Sequence, residues 1–336
     1  MTKRIAFLGI DLSTTGLRSI LTDEKGSVLS VKSTGVEGSF VRNQDEKISE
    51  QDPKFWEPAL FNVLKQILPK AKKYSLKAVS IDSTSGTIIP VDRGRKPMCN
   101  AFLHNDVRAQ DESEQICRET NLSVKPSFAL SKILWIKNHR PEIFDKTHKF
   151  LHAADYIKGL ISGELETTDF SNAVKTGFDL LQYRWHDSID SVLGIPAEKL
   201  PGVVKTGEII GELKRSICEE FGIKDKVPVV AGATDSTTSF YSSGARDTGD
   251  WNTTLGNVLA VRGVSDNFIK DPDGLLYAHR HPEGYWLPGA TNNTGGESLR
   301  LFFDHTLKDY DKKIENIPPT GSLIYPLIRR SEKFPF

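Results

Sequence analysis

Asp235 stands where a carboxylate could act on a bound molecule. Residues 227–231 form an apolar run that ends at Gly232, and residues 236–243 have the polar-faced pattern of a short helix. An aspartate at the carboxyl end of a buried strand lies where open α/β sheets bind ligands. Because aspartate before a helix is also a common N-cap, this position alone leaves a catalytic base and a simple cap as alternatives.

A turn rich in hydroxyl side chains near the start of the chain could hold phosphate. Residues 5–10 are apolar on both faces, as in a covered strand, and Asp11 follows them. Too few residues separate Gly16 from the next turn for a helix, so the motif predicts a β-hairpin and not a strand-to-helix phosphate loop. Its hydroxyl residues are Ser13, Thr14 and Thr15. Asp11 could place a water-bridged Mg²⁺ beside phosphate oxygens, and the alternative is an ordinary polar hairpin turn.

A second such turn lies in residues 251–261, where Thr253, Thr254, Gly256 and Asn257 separate two apolar runs. Backbone N–H groups and hydroxyls in a tight turn can bind phosphate. A base close to phosphate-binding turns would indicate phosphoryl transfer to a hydroxyl group.

Small hydroxyl residues also follow the predicted strand at residues 76–81. The segment Asp82-Ser83-Thr84-Ser85-Gly86-Thr87 would form a narrow polar surface suited to a polyhydroxylated ligand. A plain Ser/Thr turn is the alternative.

The surrounding pattern predicts the elements that position these residues. Asp52 and Pro53 should begin a helix whose apolar residues, from Trp56 to Ile67, keep a 3.6-residue period. Further helices are predicted over residues 185–193 and 212–221. His104 and His152 have no second histidine or cysteine at ligand spacing, so both are interpreted as surface or core residues and not as metal ligands.

Composition limits the possible partners. The 336 residues carry 44 basic and 44 acidic side chains, and this neutral balance predicts neither a nucleic-acid nor an anionic-membrane partner. Three widely spaced cysteines without a C-x-x-C pair predict buried free thiols in a reducing compartment. With no long apolar run, a cytoplasmic protein is expected.

Seven segments, in order, resemble the FGGY family of carbohydrate kinases: LGIDLSTTGLRSIL, EQDPKFW, FLHNDVRAQDE, KILWIKNHRPEIFDKTHKFLHAADYIKGLISGE, TDFSNAVKTG, VPVVAGATD and TTLGNVLAV. The resemblance implies an α/β protein with the two-lobed actin-like, ribonuclease-H-like ATPase fold. The first lobe is expected at residues 1–248 and part of the second at residues 249–336.

The resemblance also implies a role for each motif, with ATP and Mg²⁺ as cofactors. Asp235 would be the catalytic base and Asp11 the metal-organising carboxylate. The sugar would be bound by Asp11, Thr84, Ser85, Asp235 and Ser236. The phosphates of ATP would be bound by Ser13, Thr14, Thr15, Thr254, Gly256, Asn257, Gly295 and Gly296.

The substrate is expected to be a small neutral sugar or polyol, because the predicted sugar pocket holds hydroxyls and carboxylates but no cation. Small hydroxyl residues at Thr84 and Ser85 resemble the D-ribulose kinases of cyanobacteria and plants, so D-ribulose is the first choice. Xylulose and glycerol are the alternatives within the family. A member that binds sugar without transferring phosphate is the alternative from another class.

Compared with the family pattern, the second lobe is expected to be incomplete. After Gly296 the sequence has no consecutive glycines, so the family's late glycine-rich adenosine motif is expected to be absent. Sugar should then bind while ATP binds weakly. The alternative is a homo-oligomer in which a second copy completes the adenine site.

Overall fold

The computed structural model describes residues 3–41, 43–256, 259–271, 276–292, 295–296, 298, 301, 317–318 and 321. The chain divides into two compact units, Met1–Thr238 and Ser239–Phe336. The lobe boundary predicted after residue 248 lies further along the chain and stays a prediction.

The first unit contains most of the described strands and helices. Its strands are β1 (Ile5–Leu12), β2 (Gly16–Asp23), β3 (Val28–Gly35), β4 (Phe40–Val41), β5 (Glu50–Gln51), β6 (Ser75–Ser83), β7 (Ile88–Val91), β8 (Ala101–Phe102), β9 (Lys149–His152), β10 (Thr167–Asp169), β11 (Phe178–Asp179), β12 (Arg184–Trp185), β13 (Gly202–Val204), β14 (Ile209–Glu212) and β15 (Pro228–Val230). Its helices are α1 (Trp56–Ala71), α2 (Gln110–Glu119), α3 (Ala129–His139), α4 (Pro141–Lys146), α5 (Ala153–Ser162), α6 (Phe170–Ala173), α7 (Ser188–Ser191), α8 (Arg215–Phe221) and α9 (Asp235–Ser242), which continues into the second unit. Short 3-10 turns lie at Pro53–Phe55, Val174–Thr176 and Ala197–Lys199.

A six-stranded sheet with the order β14-β15-β6-β1-β2-β3 forms the centre of this unit. β1 and β2 pair antiparallel, as the predicted hairpin requires. β6 lies parallel to β1, and β15 lies parallel to β6. The carboxyl ends of β1, β6 and β15 therefore meet at one edge, where open α/β sheets bind ligands.

Helix α1 packs its apolar stripe on this sheet. Asp52 caps the preceding turn, Pro53–Phe55, by accepting the Lys54 N–H, so the predicted start is confirmed. The buried positions recur with the helical period, and burying each large apolar side chain contributes roughly 1.5–3 kcal/mol. They are Trp56, Ala59, Leu60, Val63, Leu64, Ile67, Leu68 and Ala71.

A second, five-stranded sheet has the order β4-β5-β8-β7-β9. Its apolar cluster includes Phe102 and Phe150 from the strands and Leu130 and Ile133 from α3. Because β6 belongs to the first sheet and β7 to the second, the turn of residues 84–87 lies where the two sheets join.

The second unit contains a four-stranded antiparallel sheet with the order β16-β17-β19-β18. Its strands are β16 (Trp251–Leu255), β17 (Leu259–Gly263), β18 (Tyr277–Arg280) and β19 (Trp286–Asn292). Phe240, Val264 and Leu287 form a small buried cluster in this unit. The strand-like run at residues 323–328 lies outside the described residues.

Two helix predictions were wrong in extent. Of the helix expected over residues 185–193, only α7 is helical, since Trp185 pairs with Phe178 as a strand. The helix expected from residue 212 begins at Arg215, because Glu212 pairs with Pro228 in the main sheet. In both cases a strand partner from elsewhere in the chain takes the backbone hydrogen bonds that the helix would have used.

The cysteines are free, as predicted, but Cys117 is exposed and Cys99 is only partly covered, so Cys218 alone is buried. Within the described residues, no helix combines the length and apolar character needed to cross a bilayer.

Candidate active site

Three aspartates from distant parts of the chain meet at the edge formed by β1, β6 and β15. Asp11 on β1 is the register partner of Asp82 on the parallel strand β6. An isolated bridge pairs Ser83 with Thr234, so the residue before Asp235 lies beside the end of β6. We call Asp11, Asp82 and Asp235 the carboxylate edge. The predicted proximity of Asp11 and Asp235 thus has a structural basis in the sheet.

The carboxylate edge changes the proton affinity of its members. Burial, followed by the negative charge of Asp235, raises the pKa of Asp11, and Arg18 opposes this. Burial raises the pKa of Asp82 to about 7, against the hydrogen bond from Thr238, with smaller contributions from Asp11 and Asp235. Asp82 therefore keeps its proton to far higher pH than an ordinary aspartate. The sequence analysis included Asp82 in the polar segment of residues 82–87 but did not predict its place beside Asp11, because only strand register reveals that neighbour.

Asp235 is the first residue of α9, and its side chain is exposed. The Thr234 carbonyl accepts the Thr237 N–H at 2.8 Å and the Thr238 N–H at 2.9 Å, so Thr234 holds the capping position. Oδ1 of Asp235 accepts the N–H of Ser236 at 2.6 Å, which places Ser236 directly beside it. The simple N-cap alternative therefore does not describe Asp235.

Buried hydrogen bonds fix the start of α9. Ser171 Oγ donates to Asp169 Oδ1 at 2.5 Å and accepts the Thr234 N–H at 2.8 Å. Thr238 Oγ1 donates to Asp82 Oδ2 at 2.5 Å, which ties the helix to β6. Asp235 is thus held by its neighbours on both sides along the chain.

The turn of residues 84–87, which we call the hydroxyl turn, is bound by a buried lysine. Nζ of Lys132, which is fully buried, donates to the carbonyls of Gly86 at 2.9 Å and Leu103 at 2.5 Å. Burial lowers the pKa of Lys132 to about 7. Gly86 has φ +81°, and a Cβ there would lie 3.1 Å from the Ser127 carbonyl, so the turn requires glycine.

A second lysine forms a hydrogen bond to the hydroxyl turn. Lys175 Nζ donates to Ser85 Oγ at 2.6 Å. Burial lowers the pKa of Lys175, while the charge of Asp235 raises it and that of Lys125 lowers it. The predicted sugar-binding residues include no cation, but one of them, Ser85, is in contact with the cation of Lys175. Lys175 was missed because ninety positions separate it from Ser85 and no local pattern links them.

The histidines have the expected structural character. His152 is fully buried, with Nε2 2.9 Å from Thr176 Oγ1 and Nδ1 3.0 Å from Asp155 Oδ2. His104 differs, since its buried Nδ1 has no hydrogen-bond partner among the described residues. Burial and the positive charges of Lys132 and Lys175 lower the pKa of His104, so the ring is neutral at pH 7.

The predicted first phosphate loop is a tight turn between β1 and β2. Ser13 Oγ donates to the Gly16 carbonyl at 2.9 Å, and Gln51 Nε2 donates to the Thr14 carbonyl at 2.6 Å. Thr15 is exposed. A Cβ on Gly16 would lie 2.4 Å from the Thr34 carbonyl, so the turn has no room for a side chain there.

In the predicted second phosphate loop, Thr254 lies on β16 and is exposed, and Gly256 follows the strand. The Gly296 N–H donates to the Gly256 carbonyl at 2.7 Å, so Gly256, Gly295 and Gly296 come together within the second unit. A Cβ on Gly296 would lie 2.8 Å from that carbonyl. Asn257 lies outside the described residues.

The donor set at Asp11 fits Mg²⁺, which binds proteins through one or two carboxylates and keeps several waters. Burial and then the negative charge of Asp235 raise the pKa of Asp11, and a cation would relieve the repulsion between the two carboxylates. Across the part of the chain that the structure describes, no group of three or more His, Cys, Asp or Glu side chains could hold a metal by itself. A magnesium ion here would therefore take most of its ligands from water and phosphate.

Comparisons with known proteins show which proteins the chain is similar to. The profile of the FGGY family of carbohydrate kinases, N-terminal domain, matches residues 6–241. The gluconokinase of Bacillus subtilis (strain 168) is 28% identical over 307 residues, which are 88% of this chain and 59% of that protein. The xylulose kinase of Lactococcus lactis subsp. lactis (strain IL1403) is 27% identical, over 88% of this chain and 60% of that protein. The chain thus spans about three fifths of the length of these curated relatives.

Solved structures resemble the chain in fold. The gluconate kinase from Lactobacillus acidophilus has a TM-score of 0.81 at 23% identity, covering 94% of this chain and 66% of that one. The Plasmodium falciparum glycerol kinase with ADP also has a TM-score of 0.81, at 18% identity, covering 94% of this chain and 67% of that one. The predicted α/β, two-lobed actin-like fold class is confirmed. On the match over residues 6–241, the chain belongs to the FGGY family of carbohydrate kinases.

Proposed function

We propose that this chain transfers the γ-phosphoryl group of ATP to a hydroxyl of a small sugar or polyol. The observation that carries the proposal is the position of Asp235, exposed at the start of α9 and beside Asp11 at the carboxyl ends of parallel strands. A carboxylate there can accept a proton from a substrate hydroxyl, while the two neighbouring carboxyl groups favour a bound cation.

In the proposed reaction, the Asp235 carboxylate accepts the proton of the substrate hydroxyl. The substrate oxygen then forms its bond to the γ-phosphorus as the bond from that phosphorus to the β-phosphate bridging oxygen breaks, and ADP leaves. Phosphoryl transfer depends mainly on positioning and charge neutralisation, so the protein needs one base and groups that bind phosphate. Ser13, Thr14 and Thr15 are proposed to contact phosphate, and a second set of phosphate contacts is proposed at Thr254, Gly256, Gly295 and Gly296. Bound Mg²⁺ beside Asp11 would neutralise phosphate charge.

We further propose a ketopentose as the substrate, with D-ribulose as the first choice and xylulose or glycerol as alternatives. The hydroxyl turn supports this choice, since Thr84 and Ser85 offer small polar contacts; Thr84 Oγ1 lies 3.0 Å from Thr87 Oγ1. A sugar acid is a second candidate, favoured by one observation: the Lys175 ammonium on Ser85 could attract a carboxylate. A relative named gluconokinase is in keeping with this candidate.

An ADP-release assay over ketoses, polyols and aldonates tests the proposal, with Asp235→Asn as the variant. The wild-type chain should release ADP only with its substrate, and the variant should lose most of the rate. Asp225→Asn, an exposed carboxylate between α8 and β15, is the matched control and should turn over normally. Binding of a sugar without ADP release at any Mg·ATP concentration would instead favour the non-catalytic alternative.

A further inference from the structure

Lys175 and Ser85 form a hydrogen-bonded pair with a defined direction. An ammonium group has only donors, so Ser85 Oγ must be the acceptor in their 2.6 Å contact. The hydroxyl hydrogen of Ser85 therefore points to a different group. Together the two side chains therefore offer hydrogen-bond donors to a ligand: the Ser85 O–H and the remaining N–H groups of Lys175.

The Lys175 ammonium is incompletely neutralised. Among the described residues, Lys175 forms no salt bridge: its Nζ donates to Ser85 Oγ, and the centroid of the Phe128 ring lies 5.7 Å away. Burial opposes the charged form of Lys175, Asp235 is close enough to favour it, and Lys125 opposes it. A partly buried cation of this kind favours an additional oxygen ligand, since unpaired buried charge is costly.

Groups of opposite character therefore lie close to the end of β6. Asp11 and Asp235, when charged, can only accept hydrogen bonds, which suits substrate hydroxyls. The pair of Lys175 and Ser85 donates, which suits an oxygen that has no hydrogen of its own. Two functional groups of sugars provide such an oxygen: the carbonyl of a ketose and the carboxylate of an aldonate.

We propose that Lys175 is a specificity-determining residue, which with Ser85 binds a carbonyl or carboxylate oxygen of the sugar and so selects ketoses or aldonates over polyols. This inference rests on the proposed function, because it concerns the substrate of the same site. A polyol hydroxyl can also accept a hydrogen bond from Lys175. Its own hydrogen then needs an acceptor, although the neighbouring groups, Lys175 and Ser85, are both donors. The penalty for that mismatch provides the selection.

Calorimetric titration of the 336-residue chain, without ATP, tests the proposal with D-ribulose, ribitol and D-gluconate. The wild-type chain should bind ribulose or gluconate at least about tenfold more tightly than ribitol, as expected for one hydrogen bond to a charged group. Lys175→Met should remove that ratio and leave ribitol affinity within about threefold. Lys175→Arg, which keeps a cation, should restore part of it. A preference for gluconate over ribulose would identify the carboxylate as the ligand, and the reverse would identify the carbonyl.

Lys125→Met is the matched control, because it removes an exposed positive charge close to Lys175. It should leave the ratio unchanged. An unchanged ratio in folded Lys175→Met would overturn this inference alone, while the proposed function would stand. If Lys175→Met does not fold, Ser85→Ala takes its place and must lower the ratio as well. A wild-type chain that binds none of the three compounds would overturn the proposed function and this inference together.

Discussion

Replacing Asp82 by asparagine should stabilise the protein, and the gain should grow with pH. Asparagine has nearly the same shape, and its carbonyl oxygen can still accept the hydrogen bond from Thr238 Oγ1. What disappears is the need to bury a third carboxylate beside Asp11 and Asp235 once the pH is high enough to ionise it. The variant therefore isolates the electrostatic cost of the carboxylate edge.

The magnitude follows from the pKa of Asp82, which burial raises from its ordinary value of 3.8 to about 7. Between these values the native carboxyl keeps a proton that the unfolded carboxyl has lost. The native state then binds more protons, so the stability of the wild type falls as the pH rises and levels off above pH 7. At 1.36 kcal/mol per pKa unit, the full cost is about 4 kcal/mol. About 2 kcal/mol of this loss of stability arises above pH 5, after allowance for the partial exposure of Asp82.

Urea unfolding of wild type and Asp82→Asn at pH 5, 6, 7 and 8, in metal-free buffer, measures this difference directly. The comparison between the two proteins cancels the opposing trend expected from Lys132, whose pKa is lowered to about 7. Asp225→Asn controls for the loss of one surface charge. If the free energies of unfolding of wild type and Asp82→Asn differ by the same amount at every pH, Asp82 does not carry a raised pKa and the electrostatic account of the carboxylate edge is wrong.

Three further outcomes are expected. Asp235→Asn should lower kcat by about 10²-fold or more, as for loss of a general base, with little change in sugar affinity; near-normal turnover of the folded variant would exclude Asp235 as the base. Ser85→Ala should weaken binding of the preferred sugar by roughly tenfold, measured by calorimetry, because a hydrogen bond is lost and Lys175 loses its acceptor; unchanged affinity and rate would remove Ser85 from the sugar site. Gly16→Ala should destabilise the chain by about 3 kcal/mol in urea unfolding, because the new Cβ would lie 2.4 Å from the Thr34 carbonyl. Gly202→Ala is the control, because a Cβ there would have its nearest neighbour at 3.6 Å. Equal effects of the two substitutions would refute the steric argument.

Elements with a strong local signal could be predicted from the sequence. The β1–β2 hairpin and the start of α1 each depend on a few adjacent residues, and both are confirmed. These features depend on backbone conformation and side-chain period, which nearby residue types specify.

The remaining site features depend on pairings between distant segments. Asp82 becomes a neighbour of Asp11 only through the register of two parallel strands. Lys175 meets Ser85 only after the 3-10 turn Val174–Thr176 packs beside the hydroxyl turn. Neither contact has a local sequence pattern, so neither could be predicted from the sequence.

The hydrogen bond from the Thr234 amide to Ser171 Oγ makes that amide a natural reporter of the site. Its proton is held by a side chain and not by a regular backbone ladder, so its exchange with solvent deuterium depends on the local order of Asp169, Ser171 and the start of α9. The Thr234 amide directly precedes the proposed base, yet none of its atoms belongs to the base. The amide signal of this one residue in an NMR spectrum could therefore follow whether a ligand orders the site, with the side chain of Asp235 left unaltered.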